Sequence, residues 1–149
     1  YASGSEKLIG GQMEDLIGEK QAPTKERLEF IHRNKTGALI TASLTMGIRL
    51  CETPAETIEI MREIGHHVGM QFQIVDDILD ATADAETLGK PVGADVENGK
   101  LTYPALYGLE ASYEKTHEHT EAAIKACEEL GGNNGFLISL VREMEKRVK

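Results

Sequence analysis

An all-α bundle of about six helices is predicted by three observations. Apolar residues recur at three- and four-residue spacings through most of the chain, strand-like alternation is scarce, and Pro or Gly clusters separate the periodic stretches. The 149 residues, 40% hydrophobic and 28% charged, suit a single domain with its own core. Leu8, Ile9, Leu16 and Ile17 mark a first helix over about residues 5–19, stopped by Gln21-Ala22-Pro23. Thr24 is the expected N-cap of a second helix, and Leu28, Ile31, Leu39, Ala42 and Met46 carry its stripe to about residue 50.

Thr53-Pro54-Ala55-Glu56 opens a third helix, with Pro at its first position. Ile58, Met61, Ile64, Val68, Phe72, Val75 and Leu79 extend it for about 27 residues, to Asp80. Residues 81–99 (ATADAETLGKPVGADVENG) form the one long irregular stretch. Helices over about 100–112 and 114–130 follow, and Gly131-Gly132-Asn133-Asn134 stops the second of them. A last helix is expected to run to about Val148.

Composition excludes several roles. A net charge of −9 repels nucleic acid, and 5% aromatics without Trp offers little base stacking. Cys51 and Cys127 are far apart with no Cys or His beside them, so they are expected to be incidental thiols in a reducing, cytoplasmic compartment. No run of 18 apolar residues exists, which argues against a membrane span.

Function is sought where polar groups interrupt apolar stripes. On the third helix Gly65, Gly69, Phe72, Asp76 and Asp80 share one stripe, with Gln73 beside it. The helix is apolar almost all round and should be largely buried, yet Asp76, Asp77 and Asp80 crowd two turns with no Lys or Arg between Gly65 and Asp80. Buried carboxylates at i,i+4 repel one another, and carboxylates at a helix C-terminus oppose its dipole. A divalent, oxygen-seeking cation removes the conflict, and Mg²⁺ suits one or two carboxylates with waters and substrate phosphates. The alternative is that the three aspartates end the helix in solvent. Gly65 and Gly69 are expected at close helix contacts.

The second helix places Lys35 in the middle of its apolar stripe, where it must snorkel out or meet an anion, with the Thr36 hydroxyl adjacent. On the first helix Gln12 lies between Leu8, Ile9 and Leu16, with Asp15 one turn on. Three helices each presenting polar groups from apolar faces point to a polar cavity inside a bundle. Lys90 and Lys100, with Gly89 and Gly93, add cations suited to a phosphate. The pairs His66-His67 and His117/His119 are read as surface residues. The wide apolar girdle of the third helix predicts exposed apolar surface and self-association.

Four segments carry a resemblance. Gly10-Gly11-Gln12-Met13-Glu14-Asp15, His32-Arg33-Asn34-Lys35-Thr36-Gly37-Ala38-Leu39, Gly69-Met70-Gln71-Phe72-Gln73-Ile74-Val75-Asp76-Asp77-Ile78-Leu79-Asp80, and Gly89-Lys90-Pro91 through Asp95 to Lys100-Leu101-Thr102-Tyr103-Pro104 stand in this order. The chain thereby resembles the trans-isoprenyl diphosphate synthases, the polyprenyl synthetase family of farnesyl and geranylgeranyl diphosphate synthases. The resemblance implies a helical bundle around a deep cavity, a homodimer, and Mg²⁺. It implies condensation of an allylic diphosphate with isopentenyl diphosphate through ionisation, attack by the double bond, and proton loss. By the same resemblance Lys35, Thr36, Gln73 and Asp76 take the catalytic roles. Gln12, Asp15, Phe72, Lys90 and, more weakly, Lys100 join Lys35, Thr36 and Gln73 in binding substrate. Asp76 is implied as a direct metal ligand, with Asp77 and Asp80 supporting it.

The family's first aspartate-rich motif and its earlier Gly-Lys-Arg segment have no counterpart here. Residues 1–149 therefore read as the C-terminal half of one polyprenyl synthetase domain, expected to be inactive alone. The opening at Tyr1 rather than Met agrees with a piece of a longer protein. A non-catalytic partner subunit of a synthase, or a prenyl-lipid-binding protein, is the competing expectation.

Overall fold

The structure is a computed structural model that describes residues 1–19, 21–82 and 100–148. These residues form α1 (Leu8–Gly18), α2 (Lys25–His32), a π-helical turn (Arg33–Gly37), α3 (Ala38–Ile48), α4 (Ala55–Thr82), α5 (Tyr103–Tyr107), α6 (Leu109–Leu130) and α7 (Gly135–Lys146). Helices α2 and α3 run through the π turn as one rod, so the elements make the six rods expected. Among the described residues there is no strand.

Local chemistry explains most boundaries. The Thr24 hydroxyl accepts the Arg27 N–H at 3.3 Å, the cap its sequence position called for. The Arg27 guanidinium then donates to Glu14 at 2.7 Å and to the Ala22 carbonyl at 3.1 Å, holding α2 against α1 across the Pro23 turn. One break differs from expectation. The helix expected over 100–112 ends at Tyr107, because Gly108 takes φ 84° and α6 starts directly after it. Thr102 caps α5 by accepting the Ala105 N–H at 3.3 Å, with Pro104 in the first turn. Gly131 and Gly132, at φ 71° and 70°, end α6 as anticipated.

Helix α4 is the axis of the molecule. It packs most extensively on α6, and on α3 and the π turn along another side. One apolar cluster joins Met61, Ile64 and Val68 of α4 to Ala123, Ile124, Ala126 and Cys127 of α6 and Val141 of α7. A second joins Met70, Ile74 and Ile78 to Leu28, Leu101 and Tyr103, beneath the end of α4 that carries the aspartates. Burial of α4 therefore follows its all-round apolar sequence, and the exposed apolar surface lies elsewhere. Ile9, Met13, Leu16 and Ile17 of α1, Leu39 and Met46 of α3, and Leu50 and Phe136 are among the exposed apolar side chains, and the α4 girdle is not.

Two groups of polar side chains also sit inside. Ser112, Thr116 and Thr120 line the inner face of α6, each hydroxyl donating to the carbonyl four residues earlier. Gln71, fully buried on α4, donates to Thr120 Oγ1 at 2.7 Å and to the Val141 carbonyl at 3.0 Å. The histidines correct the surface reading. His66 and His67 of α4 meet His119 of α6 in one half-buried cluster, while His117 is exposed and lies 3.2 Å from Glu145.

Candidate active site

The site begins with close backbone approach. A Cβ on Gly11 of α1 would fall 2.4 Å from the Lys35 backbone nitrogen, and one on Gly69 of α4 would fall 2.7 Å from Gly37 Cα. Gly65 meets Thr41 of α3 in the same way, at 2.7 Å from its Cα. Gly65 and Gly69 are packing sites, as expected, and Gly11 is a third. They press α1 and α4 onto opposite sides of the π turn, leaving no room for side chains between the backbones.

The π turn then distributes the polar groups. Its extra residue per turn breaks the α-helical register between α2 and α3, a feature often found where a helix carries function. Lys35 reaches back to α1, its Nζ 2.6 Å from Asp15 Oδ2. Thr36, the next residue, faces α4 and donates its hydroxyl to Gln73 Oε1 at 3.0 Å. Asn34, 3% exposed, accepts from Lys7 Nζ at 3.2 Å and donates to the Phe30 carbonyl at 2.9 Å. Lys35 thus meets an anion rather than snorkelling into solvent, and the anion is a carboxylate of the neighbouring helix.

Along α4, Phe72, Asp76 and Asp80 follow one another at four-residue spacing. Asp76 is exposed and Asp80 half-buried. Phe72 is half-buried under Arg147, whose guanidinium carbon lies 5.9 Å from the ring centroid. Gln12 is exposed one turn before Asp15, and Lys100 is half-buried ahead of α5. Lys90, with Gly89 and Gly93, lies outside the described residues. The structure therefore pairs Lys35 with Asp15 and Thr36 with Gln73, and places Gln73, Asp76 and Asp80 on successive turns of α4.

Asp77 is engaged differently from its neighbours. Its Oδ2 accepts the Tyr103 backbone N–H at 2.8 Å and lies 3.3 Å from His32 Nε2. The His32 and Tyr103 rings stack, with centroids 5.6 Å apart. Burial pushes the Tyr103 phenol up to about 12, with the charge of Glu29 adding to it. No periodicity signalled this cluster, although Thr102-Tyr103-Pro104 does carry the capped helix start that places the Tyr103 amide.

Among the described residues no group of three or more His, Cys, Asp or Glu side chains is assembled to hold an ion. Asp76 and Asp80, one turn apart on α4, offer carboxylate oxygens of the kind Mg²⁺ takes together with water and phosphate oxygens. Among the described residues no helix is long and apolar enough to cross a membrane.

Comparison with known proteins points to one family. The polyprenyl synthetase family profile matches residues 1–132. Geranylgeranyl pyrophosphate synthase 3, chloroplastic, of Arabidopsis thaliana is 48% identical over 116 residues, covering 76% of this chain and 32% of that protein. Farnesyl diphosphate synthase of Micrococcus luteus is 40% identical over 148 residues, covering 97% of this chain and 51% of that protein. The crystal structure of geranyltransferase from Helicobacter pylori, complexed with magnesium and isoprenyl diphosphate, superimposes with a TM-score of 0.77 at 27% identity, over 97% of this chain and 49% of that one. The chain thus spans between a third and a half of these relatives' lengths. With the family profile matching residues 1–132, the chain belongs to the polyprenyl synthetase family.

Proposed function

We propose that residues 1–149 form the C-terminal half of a Mg²⁺-dependent, chain-elongating prenyltransferase that condenses an allylic diphosphate with isopentenyl diphosphate. The observation that carries this reading is the pairing of Lys35 with Asp15 and of Thr36 with Gln73, next to Asp76 and Asp80. A cation on the π turn, oxygen atoms where that turn meets α4, and two carboxylates farther along α4 are the parts an ionising diphosphate needs.

Each residue has a task that follows from its surroundings. Asp15 holds the Lys35 ammonium in position, and a diphosphate competes for that ammonium with more charge than one carboxylate. The Thr36 proton is committed to Gln73, so the Thr36 oxygen has only lone pairs left for a further contact. Such lone pairs favour positive charge developing at the allylic carbon. Asp76 and Asp80 are the residues that would hold Mg²⁺, which when bound neutralises the departing diphosphate. Gln12, Phe72, Lys90 and Lys100 are assigned to the substrate envelope on the strength of the family resemblance. The complete enzyme is read as a cytoplasmic homodimer.

The test is transfer of radiolabelled isopentenyl diphosphate to an allylic diphosphate. The complete protein is expected to give Mg²⁺-dependent, allylic-dependent incorporation into longer prenyl diphosphates, and the 149-residue chain alone to give none. Absence of incorporation by the complete protein overturns the assignment. Turnover by this chain alone overturns its being half of a catalytic unit.

A further inference from the structure

Three elements that carry the site end on a single carboxylate oxygen. His32 closes α2 and immediately precedes the π turn with Lys35 and Thr36. Asp77 follows Asp76 on α4, and Tyr103 opens α5. Asp77 Oδ2 takes the Tyr103 amide at 2.8 Å and faces His32 Nε2 at 3.3 Å, with His32 and Asp77 side chains 4% and 12% exposed. The stacked His32 and Tyr103 rings close the third side of the triangle. His32 Nδ1 is itself buried with no hydrogen-bond partner among the described residues, which leaves the Asp77 contact to orient the ring.

We infer that Asp77 is a positioning residue and not a metal ligand. It locks the first residue of α5 and the last residue of α2 to α4, and so sets the register between the π turn and the aspartates. The inference rests on the proposed prenyltransferase reading and deepens it. The physical argument is geometric. An oxygen already shared between an amide and an imidazole points toward α2 and α5. Asp76 is exposed and projects about 100° away around the helix. The Thr36–Gln73 hydrogen bond at 3.0 Å and the Gly37–Gly69 contact tolerate no slip of α4 against the π turn, and Asp77 anchors α4 one turn beyond Gln73. His32 is then the second positioning residue, through which the clasp reaches Lys35 and Thr36.

Two substitutions separate positioning from ligation. Asp77→Asn keeps an oxygen that can accept the Tyr103 N–H but removes the charge a metal needs, whereas Asp77→Ala removes both. Thermal unfolding of the chain in EDTA comes first, because it is blind to any metal. Asp77→Ala and His32→Ala are each expected to lower Tm by several degrees, roughly 2–4 °C per kcal/mol for a domain of this size. The double variant should fall by clearly less than the sum of the two, as coupled neighbours do. Asp77→Asn should stay within about 2 °C of the parent.

In the complete synthase, Asp77→Ala is expected to lower kcat about tenfold, well below its Tm, with the Mg²⁺ concentration for half-maximal rate moved by less than about twofold. Asn at the same position should recover most of that loss. A merely structural contact would not affect kcat in protein that remains folded. The inference is overturned if Asp77→Asn raises the Mg²⁺ requirement tenfold or more, or if Asp77→Ala leaves Tm in EDTA unchanged. Asp76→Asn serves as the control. If it too leaves the Mg²⁺ requirement unmoved, the metal-site reading fails, while the melts in EDTA still decide the clasp.

Discussion

His67 and His119 meet Nδ1 to Nδ1 at 2.9 Å across α4 and α6, so one imidazole donates and the other accepts. His66 completes the cluster, its ring centroid 5.1 Å from His67 and 6.1 Å from His119. Two imidazoliums cannot share that distance. Burial first, then the neighbouring His67, Lys115 and His66, hold His119 down to about 4 from an ordinary 6.5. Burial also lowers His66 and His67, against partial support for their charged forms from Glu29 and Glu63. Arg33 adds to the lowering at His66 and Lys115 at His67, and Glu118 opposes it at His119.

The sign of the pH dependence follows. Between about pH 6.5 and 4 the unfolded chain binds protons at these histidines that the folded chain refuses, so stability is full above 6.5 and declines as pH falls toward 4. His119 alone should withdraw on the order of 2 kcal/mol across that window, less than its full displacement implies because the ring is partly solvated. Urea unfolding at a series of pH values checks this. His119→Gln should flatten the curve between pH 6.5 and 4.

Glycine 69 offers a second measurement. A methyl group there would sit 2.7 Å from Gly37 Cα, and backbone cannot yield as a flexible side chain does. Gly69→Ala should cost about 1–3 kcal/mol as overpacking, a Tm loss of roughly 2–12 °C, because α4 must back away from the π turn. Gly47, with nothing within 4 Å of its would-be Cβ, is the contrast on α3. Gly47→Ala should be neutral or stabilising by about 0.5–1 kcal/mol through helix propensity.

What was legible in the sequence divides along physical lines. Features carried by one helix could be read: the Thr24 cap, the Gly131-Gly132 stop, the burial of α4 and the anomaly of Lys35 on an apolar stripe. Features that depend on the register between helices could not. Nothing local to His66, His67 or His119 says that an inner-facing turn of α6 lies opposite them, so an exposed placement was the natural reading. The π turn is invisible for a related reason, since Arg33–Gly37 has no composition that separates it from an α-helical turn. Its consequence is that Lys35 and Thr36 serve two different neighbours. The break at Gly108 was available in principle, but the apolar periodicity of its surroundings outweighed a lone glycine. The Asp76 and Asp80 stripe was legible from helical spacing alone. The attachment of Asp77 to Tyr103, 26 residues away, was not.

The apolar face left on α1 leads to a third prediction. Leu16 and Met13 are 60% and 52% exposed, with Ile9 and Ile17 beside them on an 11-residue helix. Apolar patches of this kind rarely stay in water on soluble proteins. The 149-residue chain is expected to self-associate at micromolar concentration, and Leu16→Glu should shift it toward monomer. Sedimentation velocity reads both outcomes. A monomeric parent that binds no apolar dye would show that this face needs no cover.

Asp76 and Asp80 support the sharpest prediction for the complete enzyme. The two lie one helical turn apart on the same stripe of α4, Asp76 exposed and nearer to Gln73, Asp80 half-buried toward the end of the helix. As the proposed direct ligand, Asp76 would hold an ion that supplies positive charge to the departing diphosphate. Its loss should resemble removal of a preorganised electrostatic contact, about 10²–10³ in rate. Asp80, a turn farther from Thr36 and Gln73, is assigned to reach the ion through water. Its loss should cost about 10–100-fold, the size of an outer-shell change. Steady-state turnover of Asp76→Ala and Asp80→Ala across a Mg²⁺ titration measures both, and both variants should need more Mg²⁺ than the parent. Equal losses with an unaltered Mg²⁺ requirement would mean that neither carboxylate meets the ion and that this face of α4 has been misassigned.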